Sequence, residues 1–177
     1  MKQHVVRELT PAFTACEGRA RIHQIPAWHD NLIWNLECVE SGEAAVIDGP
    51  EAGPVLDYCS QNGIRLTTIL NTHTHGDHIG INRDLQNRGL LTSMRVVGSA
   101  LRSQEIPGLT EPVNDGDRVS VGCLEGQVWL TEGHIDGHVS FIFGDCLFCG
   151  DTLFGAGCGY LFDGPPEKMQ RSLQRLM

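Results

Sequence analysis

The 177-residue sequence predicts an α/β fold whose chemistry sits where strands end. Three observations lead there. Short apolar, β-branched runs bounded by glycine and turn residues read as strands, and they are interleaved with segments of helical period. Three of those strand-like runs are each followed at once by histidine or aspartate. No internal repeat, low-complexity linker or apolar stretch of bilayer-spanning length interrupts the pattern.

Taken in order, residues 21–25, 32–39 and 44–48 read as strands, punctuated by Gly42 and Gly49-Pro50. Residues 51–62 read as a helix with Val55, Leu56 and Cys59 on one face and Gly63 as its stop. Residues 67–71 form a β-branched strand running straight into a histidine cluster. A second helix is predicted over 77–88, with Ile79, Ile81 and Leu85 apolar and Gly89 beyond its end. Residues 95–98 are a short strand. Asn114-Asp115-Gly116-Asp117 is a turn, followed by strands at 118–121 and 125–131. Residues 139–143 and 146–150 read as a hairpin around Gly144-Asp145. The final segment, 166–177, places Met169, Leu173 and Leu176 at helical spacing, with no glycine stop, so the chain is expected to be shorter than its fold. The whole, 1–177, is expected to be one domain truncated at its C-terminus.

Charge and cysteines narrow the function. The net charge of −9, from 13 basic and 22 acidic residues, argues against nucleic acid as the partner. Residues 1–19 lack the apolar core of a secretion signal, and no run is long enough for a membrane helix, so a cytoplasmic protein is expected. Seven cysteines, an odd number, fit reduced thiols better than a disulfide framework. Cys146 and Cys149 make a lone C-x-x-C pair inside an apolar run. They are expected to be buried core thiols, because a zinc knuckle needs a second pair.

Five of the eight histidines fall in two short segments. In the first, Thr72-His73-Thr74-His75-Gly76-Asp77-His78, residues two apart in an extended stretch point the same way, so His73 and His75 can grip one ion. Asp77 and His78 follow Gly76, where the backbone can turn towards a second ion. Asp77 could instead cap the next helix, but three histidines and an aspartate within six residues favour a metal site. The second segment, Thr131-Glu132-Gly133-His134-Ile135-Asp136-Gly137-His138, sets His134 between glycines at a strand end. Asp136 and His138 are read as supporting or surface groups. In the third, Asp151 directly follows an apolar strand, where an unpaired carboxylate is costly. A cation would compensate it, and a carboxylate can bridge two ions.

These three segments resemble the metallo-β-lactamase superfamily, whose signature is H-x-H-x-D-H followed by a distal His and Asp. Within it the chain is most similar to glyoxalase II, the hydroxyacylglutathione hydrolases. The stretch Gly150-Asp151-Thr152-Leu153-Phe154-Gly155-Ala156-Gly157-Cys158-Gly159 carries the likeness furthest. The resemblance, spanning roughly residues 21–177, implies a four-layer αββα sandwich. It also implies two divalent metal ions, zinc foremost with iron or manganese as alternatives. The first ion would be held by His73, His75, His134 and a bridging Asp151, the second by Asp77, His78 and the same Asp151. The family completes the second site with a histidine in a strand beyond residue 177. After Gly159 the family has a basic residue that holds glutathione, and two positions on a tyrosine. Here those positions are Tyr160 and Phe162, the implied substrate-binding residues.

The activity implied is hydrolysis of a thioester such as S-lactoylglutathione, a step of methylglyoxal detoxification. Metal-bound hydroxide would attack the carbonyl and Asp77 would orient it. No G-x-S-x-G elbow offers a side-chain nucleophile. Two rival readings are a persulfide dioxygenase-like enzyme with one iron and a non-catalytic metal-binding remnant. The expected partner is a small-molecule thioester, with no nucleic acid and no membrane.

Overall fold

A computed structural model describes residues 4–6 and 10–177. The polar N-terminal stretch noted above lies partly outside these residues. Among these residues, eleven strands form two sheets, and three α-helices lie on their outer sides.

The first sheet holds β1 (Phe13–Ala15), β2 (Ala20–Ala27), β3 (Asn31–Cys38), β4 (Glu43–Ile47), β5 (Arg65–Leu70), β6 (Arg95–Ser99) and β7 (Glu111–Val113), hydrogen-bonded in that order. β1 to β4 run antiparallel. From β4 to β7 neighbours are parallel. Parallel neighbours need crossover connections, and α1 (Gly53–Asn62) and α2 (Gly76–Asn87) supply two of them. The second sheet is antiparallel, in the order β11 (Cys146–Phe148), β10 (Val139–Phe143), β9 (Leu124–Leu130), β8 (Arg118–Val121). The last helix is α3 (Pro166–Leu176).

Strand alternation builds two cores. Ile22, Leu36, Ala45, Ile47, Leu70 and Val97 of the first sheet meet Val119, Val121, Val128, Phe141, Phe143 and Phe148 of the second. On the opposite face, Ile25, Ile33, Val46, Ile69 and Val96 receive Val55 and Cys59 of α1 and Ile81 and Leu85 of α2. Facing sheets joined by apolar side chains at period two are the ordinary way to close a sandwich. In the fourth layer α3 stands alone among the described helices. Its Met169 is buried where a side chain on Gly133 would have to lie, since a Cβ there would stand 2.5 Å from Met169 Cα. Its Arg175 guanidinium sits 4.9 Å from the Trp129 ring centroid.

Three differences from the sequence reading are physical. Strands β1 and β7 have only three residues each, too short for periodicity to reveal. The strand expected over 146–150 ends at Phe148, because Gly150 takes φ +45 and the chain turns through a short 3-10 helix, Gly150–Thr152. Cys146 and Cys149 are half-buried rather than core thiols, since β11 is an edge strand of its sheet. All seven cysteines are free thiols, as expected.

Candidate metal centre

Four loops meet at one edge of the sandwich: those after β4, β5, β9 and β11. The loop after β5 is fixed first. Asn71 N–H donates to Val97 O at 2.9 Å, and the Asn71 and Asn82 carboxamides bond each other, tying the loop to α2. Val139 N–H donates to Thr72 O at 2.9 Å, which joins the loop to β10 of the other sheet. Helix α2 begins at Gly76 with His75 as its N-cap, so Asp77 lies inside the first turn and is not the cap. Gly80 lets α2 approach the loop after β4, since a Cβ there would stand 2.2 Å from Pro50 O.

The segments that the sequence singled out converge. Donor atoms of His73, His75, His134 and Asp151 all lie within 4.8 Å of one another. His75 Nδ1 is 3.1 Å from His73 Nε2 and 2.8 Å from His134 Nε2. His134 Nε2 is 3.4 Å from Asp151 Oδ2. Donors bound to one zinc ion at about 2.0–2.1 Å are themselves roughly 3 Å apart, so this spacing fits a common ion. Asp151 turns its other oxygen, Oδ1, to His78 Nε2 at 3.4 Å. Asp77 Oδ2 lies 3.6 Å from the same nitrogen. Asp151 therefore stands between two donor groups. Soft-to-borderline imidazoles mixed with carboxylates are a donor set for zinc, iron or manganese. The residues present fit a divalent ion.

The surroundings hold these donors in place. His134 Nδ1 meets Tyr160 O at 2.6 Å, which leaves Nε2 for the centre. Phe162 N–H donates to His134 O at 2.9 Å, and Gly159 N–H to Asp151 O at 2.9 Å. Gly159 permits that fold-back, because a Cβ there would stand 2.2 Å from Asp151 O and 2.7 Å from His134 Nδ1. The Phe162 ring lies edge-on to His75 and His134, with centroids 5.0 and 5.3 Å away. Tyr160 is exposed and packs against Phe162.

Sequence reasoning missed Asp48. It follows β4 and is buried, with φ +55, a left-handed conformation uncommon outside glycine. Its Oδ2 accepts from His78 Nδ1 at 3.0 Å and from Thr72 Oγ1 at 2.6 Å. Its Oδ1 accepts from Thr72 N–H at 2.8 Å. Only an acidic residue at the end of an apolar strand marked it, the same kind of signal that marked Asp151, but Asp48 lies in none of the three segments that resemble the family signature. His138 is deeper than expected. It is fully buried and stacks on His73, centroids 4.9 Å apart. Its Nδ1 is 3.2 Å from Thr152 Oγ1, which itself donates to Thr131 O at 3.0 Å. A neutral ring with Nδ1–H donating satisfies this arrangement. Asp136 points away and pairs with Lys168.

Electrostatics follow from depth. Burial, reinforced by the neighbouring imidazoles, drives His73 far below the ordinary histidine range. Burial also takes His138 down to about 3 and lowers His75. Burial opposes a charge on His78 as well, but Asp48 and Asp151 outweigh it and raise its pKa to about 10. For Asp151 burial is again the largest influence, yet the bond to His78 and the charges of the imidazoles keep its carboxyl below the usual range. Without a cation, then, burial disfavours a charge on His73 and His75, whereas Asp48 and Asp151 favour one on His78.

A cavity of about 860 Å³ opens beside the centre. Phe13, Ile22, Trp34, Ile47 and Phe148 line it, together with Asp77, His78, Asp151, Asp145 and Cys146.

The sequence model of the metallo-beta-lactamase superfamily matches residues 40–177. The chain belongs to the metallo-β-lactamase superfamily. Solved structures agree in fold: a metallo-beta-lactamase from Staphylococcus aureus subsp. aureus COL has TM-score 0.73 at 22% identity, over 89% of this chain and 51% of that one. ETHE1 from Myxococcus xanthus has TM-score 0.70 at 25% identity, over 94% and 68%. Among curated superfamily members, the hydroxyacylglutathione hydrolase of Synechocystis is 43% identical over 163 residues, 88% of this chain and 62% of its own length. That of Methylococcus capsulatus is 45% identical over 157 residues, 88% and 60%. The chain thus spans about three fifths of the curated relatives it matches. No helix among the described residues is long and apolar enough to cross a membrane.

Proposed function

We propose that this chain carries the metal-binding part of a thioester hydrolase of the hydroxyacylglutathione hydrolase kind. The observation that carries the reading is the convergence of His73, His75, His134 and Asp151, in a chain 43–45% identical to curated proteins of that name. Zinc is the ion we assign, at His73, His75, His134 and Asp151, with a second ion at Asp77, His78 and Asp151. Held there, divalent ions would supply Lewis acidity to a water molecule and to a carbonyl oxygen.

The chain's own residues do the rest. Asp77 is the most open of the acidic groups, its side chain 42% exposed and facing the cavity. It accepts a weak bond from Asn31 Nδ2 at 3.4 Å, which leaves an oxygen free to orient an attacking water. Asp48 holds His78 through Nδ1 and so aims Nε2 at Asp151. Phe162 shields the His75 and His134 edges from bulk water. With exposed Tyr160 beside it, Phe162 forms the platform on which we seat the thiol portion of the substrate. A glutathione conjugate is the substrate class assigned. Free thiols at all seven cysteines support a reducing compartment such as the cytoplasm.

Hydrolysis of S-lactoylglutathione by the zinc-loaded chain, compared with the metal-stripped chain, tests the reading. The loaded chain should release glutathione well above the stripped one. Equal rates at verified zinc occupancy would leave a metal-binding protein without this activity.

A further inference from the structure

A second group of metal-ligating atoms lies away from the His/Asp centre. Cys16 follows β1, Asp145 occupies the turn between β10 and β11, and Cys146 opens β11. The two sulfurs and a carboxylate oxygen of Asp145 lie within 4.8 Å of one another. We propose that Cys16, Asp145 and Cys146 form a separate site for a thiophilic divalent cation of the zinc class, with its remaining position open to water.

The donor chemistry selects the ligand. Two sulfurs with one carboxylate suit zinc or cadmium, whereas calcium and magnesium take oxygen donors throughout. The donors are held before any ion arrives. Cys16 N–H donates to Asp145 Oδ1 at 2.7 Å, and the Cys16 thiol donates to Phe143 O at 3.1 Å. Cys16 and Glu17 have φ of +51 and +57, a conformation non-glycine residues adopt at a cost. At Gly144 a Cβ would stand 3.0 Å from the Cys16 sulfur, so the turn closes tightly under it.

Access agrees, while the raised thiol pKa values set a proton cost that the ion must overcome. Both cysteines are half-buried, and Asp145 and Cys146 line the same cavity as Asp77, His78 and Asp151. Burial, then the Asp145 charge, raises the Cys16 pKa. Burial, then Cys16, raises that of Cys146 to about 11. Both are therefore thiols at neutral pH, slow as nucleophiles and slow to oxidise, which argues against a reactive or disulfide-forming pair. Capture of an ion M²⁺ forms two M–S bonds and one M–O bond and releases two protons to solvent. It links the turn after β1 in one sheet to the β10–β11 hairpin of the other.

Cadmium tests this on the full chain with its His/Asp centre already zinc-loaded. Cadmium bound to thiolate gives an ultraviolet charge-transfer band, and imidazole and carboxylate donors give none. One added equivalent should produce the band. Cys16→Ser and Cys146→Ser should lose it, Asp145→Asn should weaken it, and His75→Ala should keep it. Absence of the band in the unaltered chain, or its survival in both serine variants, overturns the site. A readout free of folding defects in the variants is iodoacetamide labelling of the unaltered chain at alkaline pH, where the raised thiols ionise. Cadmium should protect Cys16 and Cys146 while exposed Cys123 stays reactive. Equal labelling with and without cadmium, or a Cys16–Cys146 disulfide in protein prepared without oxidant, also overturns it.

Discussion

On one side of Asp151, three imidazole nitrogens crowd together, with gaps of 2.8 and 3.1 Å about His75. On the other, His78 and Asp77 keep 3.4 and 3.6 Å between donors, and Asp77 opens to the cavity. On the first side burial disfavours a charge on His73, only 1% exposed, and on half-buried His75. The second is held by carboxylates that keep His78 charged until an ion displaces its proton. An ion entering the first side would meet little proton competition at His73 and His75, whereas an ion on the second would compete with a histidine proton whose pKa is about 10. In the proposed two-ion reading, the difference makes the ion on the first side the tighter one.

The sharpest way to break that comparison is His75→Ala. His75 Nδ1 is the atom nearest both His73 and His134, so its loss should empty the tight side and reduce thioester hydrolysis to the rate of metal-stripped protein. Metal analysis with unchanged zinc content would refute the assignment. Asp48→Ala should act mainly on the other side, through His78, since its link to His73 is indirect and runs through Thr72. Loss of a partner that orients a ligand typically weakens metal affinity about 10–100-fold. A chelator titration should therefore show the weaker ion leaving earlier while the tighter one is retained. A parallel loss of both would mean that the two sides are not separable.

Gly159→Ala probes the backbone behind His134. The new methyl would meet Asp151 O and His134 Nδ1, and overpacking of this kind costs roughly 1–3 kcal/mol. Gly155→Ala is the control, since nothing lies within 4 Å of its added carbon. Thermal denaturation should lower the melting temperature of the first variant and leave the second unchanged. The gentlest prediction concerns acid. His138 has a folded pKa of about 3 against about 6.5 when unfolded. The unfolded state thus binds the extra proton first. The stability of a neutral His138 is fully present above about pH 6.5, and it falls by at most about 1.4 kcal/mol per unit towards pH 3. His138→Asn should remove that slope. Chemical denaturation of both proteins across this range, with parallel acid slopes, would show that His138 does not carry it.

What could be read in advance follows from how the information is written along the chain. The His73–His78 cluster is legible because its donors are adjacent in sequence, and the longer strands because their apolar residues alternate over five or more positions. Helix α2 was placed one residue late, at Asp77, since the extended His75 rather than the aspartate makes the N-cap. Asp48 and the depth of His138 were not legible. Each acquires its meaning from a partner brought near by topology: Asp48 from His78 across the β4–β5 pair, and His138 from His73 across the two sheets. The same holds for Cys16 and Cys146, which sit at opposite ends of the sequence and meet only once the sheets have docked.

The hydrogen bond from Val139 to Thr72 carries one more consequence. It stitches the two sheets at the spot where His73 begins its loop, so the imidazoles from β5 and β9 cannot face each other until nearly every strand is in place. Ion uptake by this chain should therefore lag behind collapse during refolding, and it should serve as a late clock for the completion of the native structure.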